Sequence, residues 1–543
     1  MFLEVSYHLI KDNGRIGMIV PSGIYTDQGT AGLRKLFLDR GSWIWLFGFE
    51  NRNRIFQIDS RYKFGPLIVE KSRKTNEIKS SFMNRDLGSW ETSDTKHFLI
   101  KEEQITKYSP NSRSIFEFLG MRDISITDTI YSNSILISDE SSDWGISYHR
   151  EIDMTNDSNL FETIQKVKAR GYNQNRYGLF VNSDDDIYLP LYEGRMVGQF
   201  DFSQKEYVSG KGRRATWTDI PWDRKMYHPQ YLMHSDIYLK SGKCVSGYKV
   251  GFMDVTSATN TRSMISCLIV DLPCGNKVPV LQIRDKSLKG SLVLCSILNS
   301  FVFDFVTRLR LGGLSLNWYI VKELPIPRKI PMAAWEYIVK NSASLIMISN
   351  CFAKEWLLVR GKFPSLCNQR WQGLWVVTEH ERLRSRCILD AIIAELYGLC
   401  YDDLAWILRD DPSNPKGFWR LDKDKPPELR QTTLTLLAFR RLKEIGLEAF
   451  CKEDWQFPKD IQEKLGPRFL PWQLEGTPED TWAECEQHAK NILGEEKYKE
   501  FIEELNRPKA SEEKGHTITG PDHTHEKGEE GEQTSLLSWE VER

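Results

Sequence analysis

The strongest constraint on this chain lies in its first seventy residues, where continuous apolar runs alternate with a helical pattern. Phe2, Val5, Leu9 and Ile10 recur at helical spacing, Asp12-Asn13-Gly14 supplies a tight turn, and the apolar run Ile16 to Val20 follows. A loop opening with Pro21, Ser22 and Gly23 leads to a helix expected from about Gly29 to Asp39, then to strands expected over Trp43 to Phe49 and Phe64 to Val69. Strands without polar alternation belong to a parallel α/β sheet covered on both faces. A doubly wound sheet takes about five strands or more, yet only three are read before the pattern dissolves after Lys71. The run Ile16 to Val20 is too apolar for an open edge, so it is expected to need a neighbouring strand that is not encoded upstream.

Composition decides how far that sheet can account for the whole. A length of 543 residues, 40% of them hydrophobic, supports three or four domains. With 73 Lys and Arg against 75 Asp and Glu the formal charge is −2, so any contact with nucleic acid has to come from local patches. Such a patch exists: Tyr188 to Lys329 carries 20 basic against 11 acidic residues, whereas Cys451 to Arg543 carries 12 against 23. Apolar stretches are broken by charge well before the roughly 18 residues of a membrane span, and the N-terminus lacks a signal pattern. A soluble cytoplasmic protein without a membrane partner is expected. Ten scattered cysteines with no CxxC pair exclude a disulfide framework and a zinc ribbon, and no metal ligand is assigned. From about Arg507 the chain turns to Glu, Gly, Thr and His and reads as a disordered acidic tail; His516, His523 and His525 there either hold a metal weakly or are simply solvated.

Four ordered phrases carry a family likeness. "NGRIGMIVPSGIYTDQGTAGLRKLF" followed by "FENRNRIFQIDSRYKFGPLIVEK" resembles the second half of the catalytic domain of large adenine-N6 DNA methyltransferases, in particular fused restriction-modification (type IIG) enzymes and their phage-defence relatives. "YLPLYEGRMVGQFD", "VGFMDVTSATNTRSMISCLIV" and "LNSFVFDFVTRLRLGGLSLNWYIVKELPIP" are similar to the target-recognition region of that family, and "LDAIIAELYGLCYDDLAWIL" to its helical C-terminal segment. The chain departs from the family where the chemistry lies. Neither the glycine-containing cofactor loop nor an Asn-Pro-Pro-Tyr type motif occurs; Asp411-Pro412 lacks the second proline, and "GKGRR" at Gly210 to Arg214 lacks phosphate-loop spacing. The resemblance therefore implies that S-adenosylmethionine is bound by a missing N-terminal half, and no catalytic residue is assigned to this chain.

The residues that remain point to DNA. Family enzymes extrude the target base and hold it against an aromatic face. By its place in "RIFQIDSRYKF", Phe56 resembles that base-stacking residue, or else is core at a strand entry; Asp59, Arg61 and Lys63 either approach the nucleotide's phosphates or pair on the surface. Lys211, Arg213, Arg214, Arg224 and Lys225 lie among Trp217 and Trp222, a composition suited to a loop on DNA and equally to a solvated basic face. Asn260 and Arg262, with Thr259 and Thr261, offer short polar groups to phosphate or base edges, or form a capped turn. Arg308 and Arg310, before Gly312-Gly313, are read as reaching the DNA backbone, while Phe301, Phe303, Phe305, Trp318 and Tyr319 are read as core. Glu495-Glu496-Lys497 after Asp480 is the nearest match to a metal-nuclease pattern, but helical spacing of Ile492, Leu493, Tyr498, Phe501 and Ile502 makes it a solvated helix face.

The expected architecture is α/β and α+β multidomain. It comprises a C-terminal fragment of a Rossmann-like methyltransferase sheet (1–90), a connecting segment (91–180), a mixed target-recognition domain (181–330), an α-helical C-terminal domain (331–506) and the tail (507–543). The expected function is the DNA-specificity portion of a site-specific adenine-N6 methyltransferase, with double-stranded DNA and an N-terminal methyltransferase fragment or subunit as partners. The alternative is a stand-alone, non-catalytic DNA-binding or scaffold protein of a defence system.

Overall fold

A computed structural model describes residues 2–92 and 97–507, apart from the side chains of Ser89 and Arg213. The disordered tail expected from 507, with its three histidines, lies outside the described residues beyond Arg507.

All three expected strands form, and they share one sheet. After the helix Phe2–Leu9, Asn13 takes the left-handed conformation (φ 63°) that its short amide side chain tolerates, and the chain turns into β1 (Arg15–Pro21). The helix Ala31–Arg40 precedes β2 (Ser42–Glu50), and β3 (Lys63–Glu70) returns antiparallel. Two further strands, β4 (Glu77–Asn84) and β5 (Phe98–Lys101), lie where the sequence pattern dissolves. Their alternation with Lys79, Ser80 and Ser81 hides them from a search for apolar runs. The strand order is β1-β3-β2-β4-β5.

Two expectations are corrected here. The sheet is mixed: only β2 and β4 pair in parallel, while β1–β3, β2–β3 and β4–β5 are antiparallel. The apolar strand β1 does lie at an edge, with its neighbour β3 drawn from downstream (Ile16 opposite Val69, Met18 opposite Leu67). It alternates in burial: Ile16 and Val20 are buried, whereas Gly17 and Ile19 face outward, Ile19 at 60% exposure. Helix Ala31–Arg40 covers one face of the sheet, with Phe37 set edge-on to Trp43 at 5.7 Å between centroids. A smaller cluster of Phe47, Phe49 and Phe64, flanked by Trp45 and Ile55, covers part of the other.

The segment expected merely to connect is structured, because its strands are completed by residues far downstream. Ser134–Leu136 pairs with Pro325–Pro327, and Ser147–His149 is the edge strand of an antiparallel sheet with Val280–Gln282, Tyr248–Phe252 and Ser266–Val270. A second sheet joins Glu162–Thr163, Tyr231–His234, Ile187–Pro190, Phe180–Val181 and Asn173–Gln174, and a hairpin pairs Lys205–Ser209 with Thr216–Asp219. Through the middle run the helices Leu288–Asn299 and Phe301–Arg310, bent by 61° at Ser300, whose hydroxyl accepts from the Phe303 amide and caps the second helix. Among the described residues no single helix is long and apolar enough to cross a membrane; this bent pair passes on length and composition together, and both helices are buried in the protein core. From Met332 to Asn506 regular structure is helical, as expected.

Candidate nucleic-acid interface

β1, β2 and β4 run in one sense, so Pro21, Glu50 and Asn84 end at the same edge, beside Lys63 at the start of β3. Buried Asn51 organises the loop that follows β2. Its side-chain amide donates to the carbonyls of Phe56 (2.9 Å), Ile58 (3.1 Å) and Asp59 (3.3 Å), and its Oδ1 accepts from the Phe56 amide (2.9 Å). Four bonds from one side chain fix this loop from within, an arrangement Asn favours because it carries both donor and acceptor. Phe56 is thereby held with its ring edge-on to Phe64 (4.8 Å), itself stacked on Phe49 (5.6 Å), yet stays 39% exposed. It is neither core nor a free surface residue.

Charged groups gather at the same edge of the sheet. Glu50 is buried and takes Nε of Arg85 (2.8 Å) and of Arg52 (3.4 Å) on the same oxygen. Deeper, the buried Glu117 carboxylate binds Lys63 (2.6 Å) and Lys416 (2.8 Å) and accepts from the Tyr25 hydroxyl (3.0 Å). Burial alone would raise the Glu117 carboxyl, but the Lys416 and Lys63 ammonium groups outweigh it and hold it at about 2. Burial pushes Lys416 down to about 8 despite Glu117, since Lys63 competes for the same carboxylate. Burial, reinforced by Glu117, drives the Tyr25 hydroxyl well above its ordinary value. Lys416 belongs to the helical region, so this ion cluster ties that region to the sheet.

Two other loops reach the same edge. A Cβ on Gly312 would stand 2.7 Å from Thr26 Cγ2, so glycine lets the 312–315 loop lie directly on the turn after β1. That loop bridges to Val255 through Ser315, leaving Val255 and Leu314 at 55% and 61% exposure. The 255–262 loop also meets the 414–417 segment, since Arg308 donates to the carbonyls of Thr261 (2.8 Å) and Lys416 (3.0 Å). Two clefts, about 630 Å³ beside Arg384 and Arg468 and about 820 Å³ beside Tyr148 and Lys243, share no lining residue with this edge.

The sequence-assigned DNA contacts divide sharply. Lys211, Arg214 and Arg224 are exposed, on or just after the Lys205–Asp219 hairpin; Arg213 is in the same turn but its side chain lies outside the described residues. Asn260 is exposed, with its amide 3.4 Å from the Thr256 hydroxyl. Lys225, Arg262, Arg308 and Arg310 are corrected: all four are buried and engaged. Lys225 binds Asp201 (2.6 Å) and the Ser203 carbonyl and sits over the Trp222 ring. Arg262 and Arg308 share Asp304 (3.2 and 3.3 Å) and lie over Phe418, and Arg310 pairs with Glu323. Local sequence cannot separate these from surface arginines, because the acids that neutralise Lys225, Arg262 and Arg310 stand 24, 42 and 13 residues away. Asp59 and Arg61 pair with each other at 2.6 Å, and Lys63 turns inward to Glu117. The sequence reading missed Arg52, Arg85 and Arg420; the Asn51-Arg52 pair directly after an aromatic strand was the available signal.

Among the described residues no group of His, Cys, Asp and Glu is placed to hold a metal. S-adenosylmethionine carries a sulfonium cation. The donors at this edge are Arg52, Arg85, Lys63 and Lys416, and its acids Glu50 and Glu117 are each committed to two cations, so the residues present do not fit that cofactor.

No protein-family model matches the chain, and no curated protein matches it. Among solved structures it is similar to the type IIG restriction endonuclease BpuSI, at 15% identity and TM-score 0.24 over 73% of this chain and 48% of that one. It is similar also to the type IIL restriction-modification enzyme MmeI in complex with DNA, at 11% identity and TM-score 0.36 over 81% and 51%. A third is a DrdV–DNA complex, at 10% identity and TM-score 0.28 over 64% and 39%. The chain spans about half the length of the first two and less of the third.

Proposed function

We propose that this chain is the DNA-recognising portion of a site-specific adenine-N6 DNA methyltransferase of the restriction-modification or defence type, acting in the cytoplasm. The observation that carries the reading is Phe56, an aromatic ring whose loop is fixed by Asn51 at the carboxyl edge of the sheet and which is left 39% exposed. Chemistry on a base needs the base out of the duplex, where a planar side chain can replace its lost stacking and cations can hold the strand. Exposed Lys211, Arg214, Arg224 and Asn260 supply further contacts to backbone or base edges.

Methyl transfer requires a separate polypeptide segment that binds S-adenosylmethionine and the adenine amino group, and in this reading it extends the sheet past β1. β1 pairs only with β3 among the described residues, which leaves its other edge free to add a strand. The test is to mix the chain with a fragment bearing the cofactor loop and the Asn-Pro-Pro-Tyr type motif, and to assay methylation of duplex DNA. Methylation by the mixture, and by neither part alone, is expected; an inactive mixture that nonetheless contains a stable complex on DNA sinks the reading. The second reading is a stand-alone DNA-binding scaffold, and sequence-specific DNA binding that the fragment never alters would select it.

A further inference from the structure

Arg52 and Arg85 stand at the carboxyl ends of adjacent parallel strands, β2 and β4, and both spend only their Nε on Glu50. Their terminal guanidinium nitrogens make no hydrogen bond among the described residues and face outward on side chains 54% and 38% exposed. A third guanidinium joins them from the helical region. Arg420 is stacked over Trp419 at 4.2 Å, and the Trp419 indole is itself fixed by donating to the Asn414 carbonyl at 2.8 Å. Arg420 donates to the Pro415 carbonyl (3.0 Å) and makes no ion pair among the described residues. The carbonyl it holds belongs to Pro415, next to Lys416, which meets Lys63 on Glu117, and Lys63 lies opposite Glu50 across β2 and β3, so Arg420 is set on the side of the Glu50 pair; partial burial and the charges of Arg52 and Arg85 lower its pKa in keeping with that placement.

Arg52 and Arg85 share one carboxylate, Glu50, Arg420 has no ion pair among the described residues, and the layer beneath them, Lys63 and Lys416 on Glu117, is one positive charge in excess. Concentrating like charge works against folding unless an anion is bound there, and the planar fork of arginine suits phosphate oxygens better than any other side chain. Arg52 belongs to the same Asn51-clamped loop as Phe56, four residues before it, which ties the arginine pair to the loop that presents the ring.

We propose that Arg52, Arg85 and Arg420 form a composite phosphate clamp for the DNA strand flanking the base on Phe56, with Arg420 supplied by the helical region. This rests on the DNA reading above. It makes the helical region a part of the interface.

The test uses the full chain and fluorescence anisotropy on duplex DNA between about 50 and 300 mM KCl. Arg420→Gln orphans no carboxylate, so its folding is safe; Arg52→Gln leaves Glu50 paired with Arg85. Each is expected to weaken binding about fivefold and to flatten the slope of log affinity against log salt by about 0.9, the release of one phosphate's counterions. Lys459→Gln, on an exposed helix start, is expected to change neither. Wild-type binding with both arginine variants unchanged in slope and affinity overturns the clamp while leaving the DNA reading intact. Absence of any wild-type binding to duplex overturns both.

Discussion

Replacing Glu117 by Gln tests whether the sheet and the helical region are joined by electrostatics. The carboxylate is buried, holds Lys63 and Lys416 at 2.6 and 2.8 Å, and has its pKa lowered to about 2 from an ordinary 4.5. That displacement corresponds to roughly 3 kcal/mol of stability at neutral pH, in line with the 3–5 kcal/mol that removing one partner of a buried pair costs. For a carboxylate with a depressed folded pKa, this contribution is whole above about pH 4.5 and is lost as pH falls towards 2, leaving roughly 1 kcal/mol at pH 3. Native-state hydrogen exchange reads it locally. Amides of residues 112–118 and 414–418 in Glu117→Gln are expected to exchange on the order of a hundredfold faster than wild type at pH 7, and only about tenfold or less at pH 3. A difference under about fivefold at pH 7, or one that does not shrink with acid, refutes the argument.

Three further outcomes are expected. Arg308→Met, which severs bonds to Asp304, Thr261 and Lys416, should lower stability by about 3–5 kcal/mol in urea unfolding while the DNA affinity of the folded fraction is kept; a stable variant that loses DNA would return Arg308 to the interface. Phe56→Ala, keeping the Phe49–Phe64 stack, should cost no more than about 1.5 kcal/mol of stability but weaken binding to duplexes with a mispaired adenine by 1–3 kcal/mol, roughly 5- to 150-fold in anisotropy titrations. Burial raises Glu193 to about 7, against a weaker pull from Arg195, so folding gives up stability as pH climbs from about 4.5 to 7. Glu193→Gln should therefore be the more stable protein by about 1–2 kcal/mol at pH 8 and indistinguishable at pH 4, as thermal melts would show.

Much of the site's framework was legible in the chain. The Asp12-Gly14 turn and the three apolar strands follow from local grammar, because turn chemistry and apolar periodicity act between residues a few positions apart, whereas Phe56 was marked by family resemblance. β4 and β5 were not legible, since Lys79, Ser80 and Ser81 interrupt the apolar run that marks a buried strand. Nor was the place of β1, because its partner β3 lies some fifty residues onward and pairing is settled by sheet order rather than by the strand's own composition.

Charge shows the division most clearly. The sequence by itself determined that cations are plentiful between Tyr188 and Lys329, that an aromatic residue sits in the loop before Lys63, and that the motifs of methyl transfer are missing from these 543 residues. Only the tertiary structure decided which cations are free. Arg262, Arg308 and Arg310 are neutralised inside by Asp304 and Glu323, while Arg52 and Arg85, drawn from two separate stretches, share the single carboxylate of Glu50 and keep exposed side chains. The physical reason is range: backbone propensity is written in neighbouring residues, whereas the electrostatic balance of a surface depends on which side chains the packed fold brings within a few ångströms of one another.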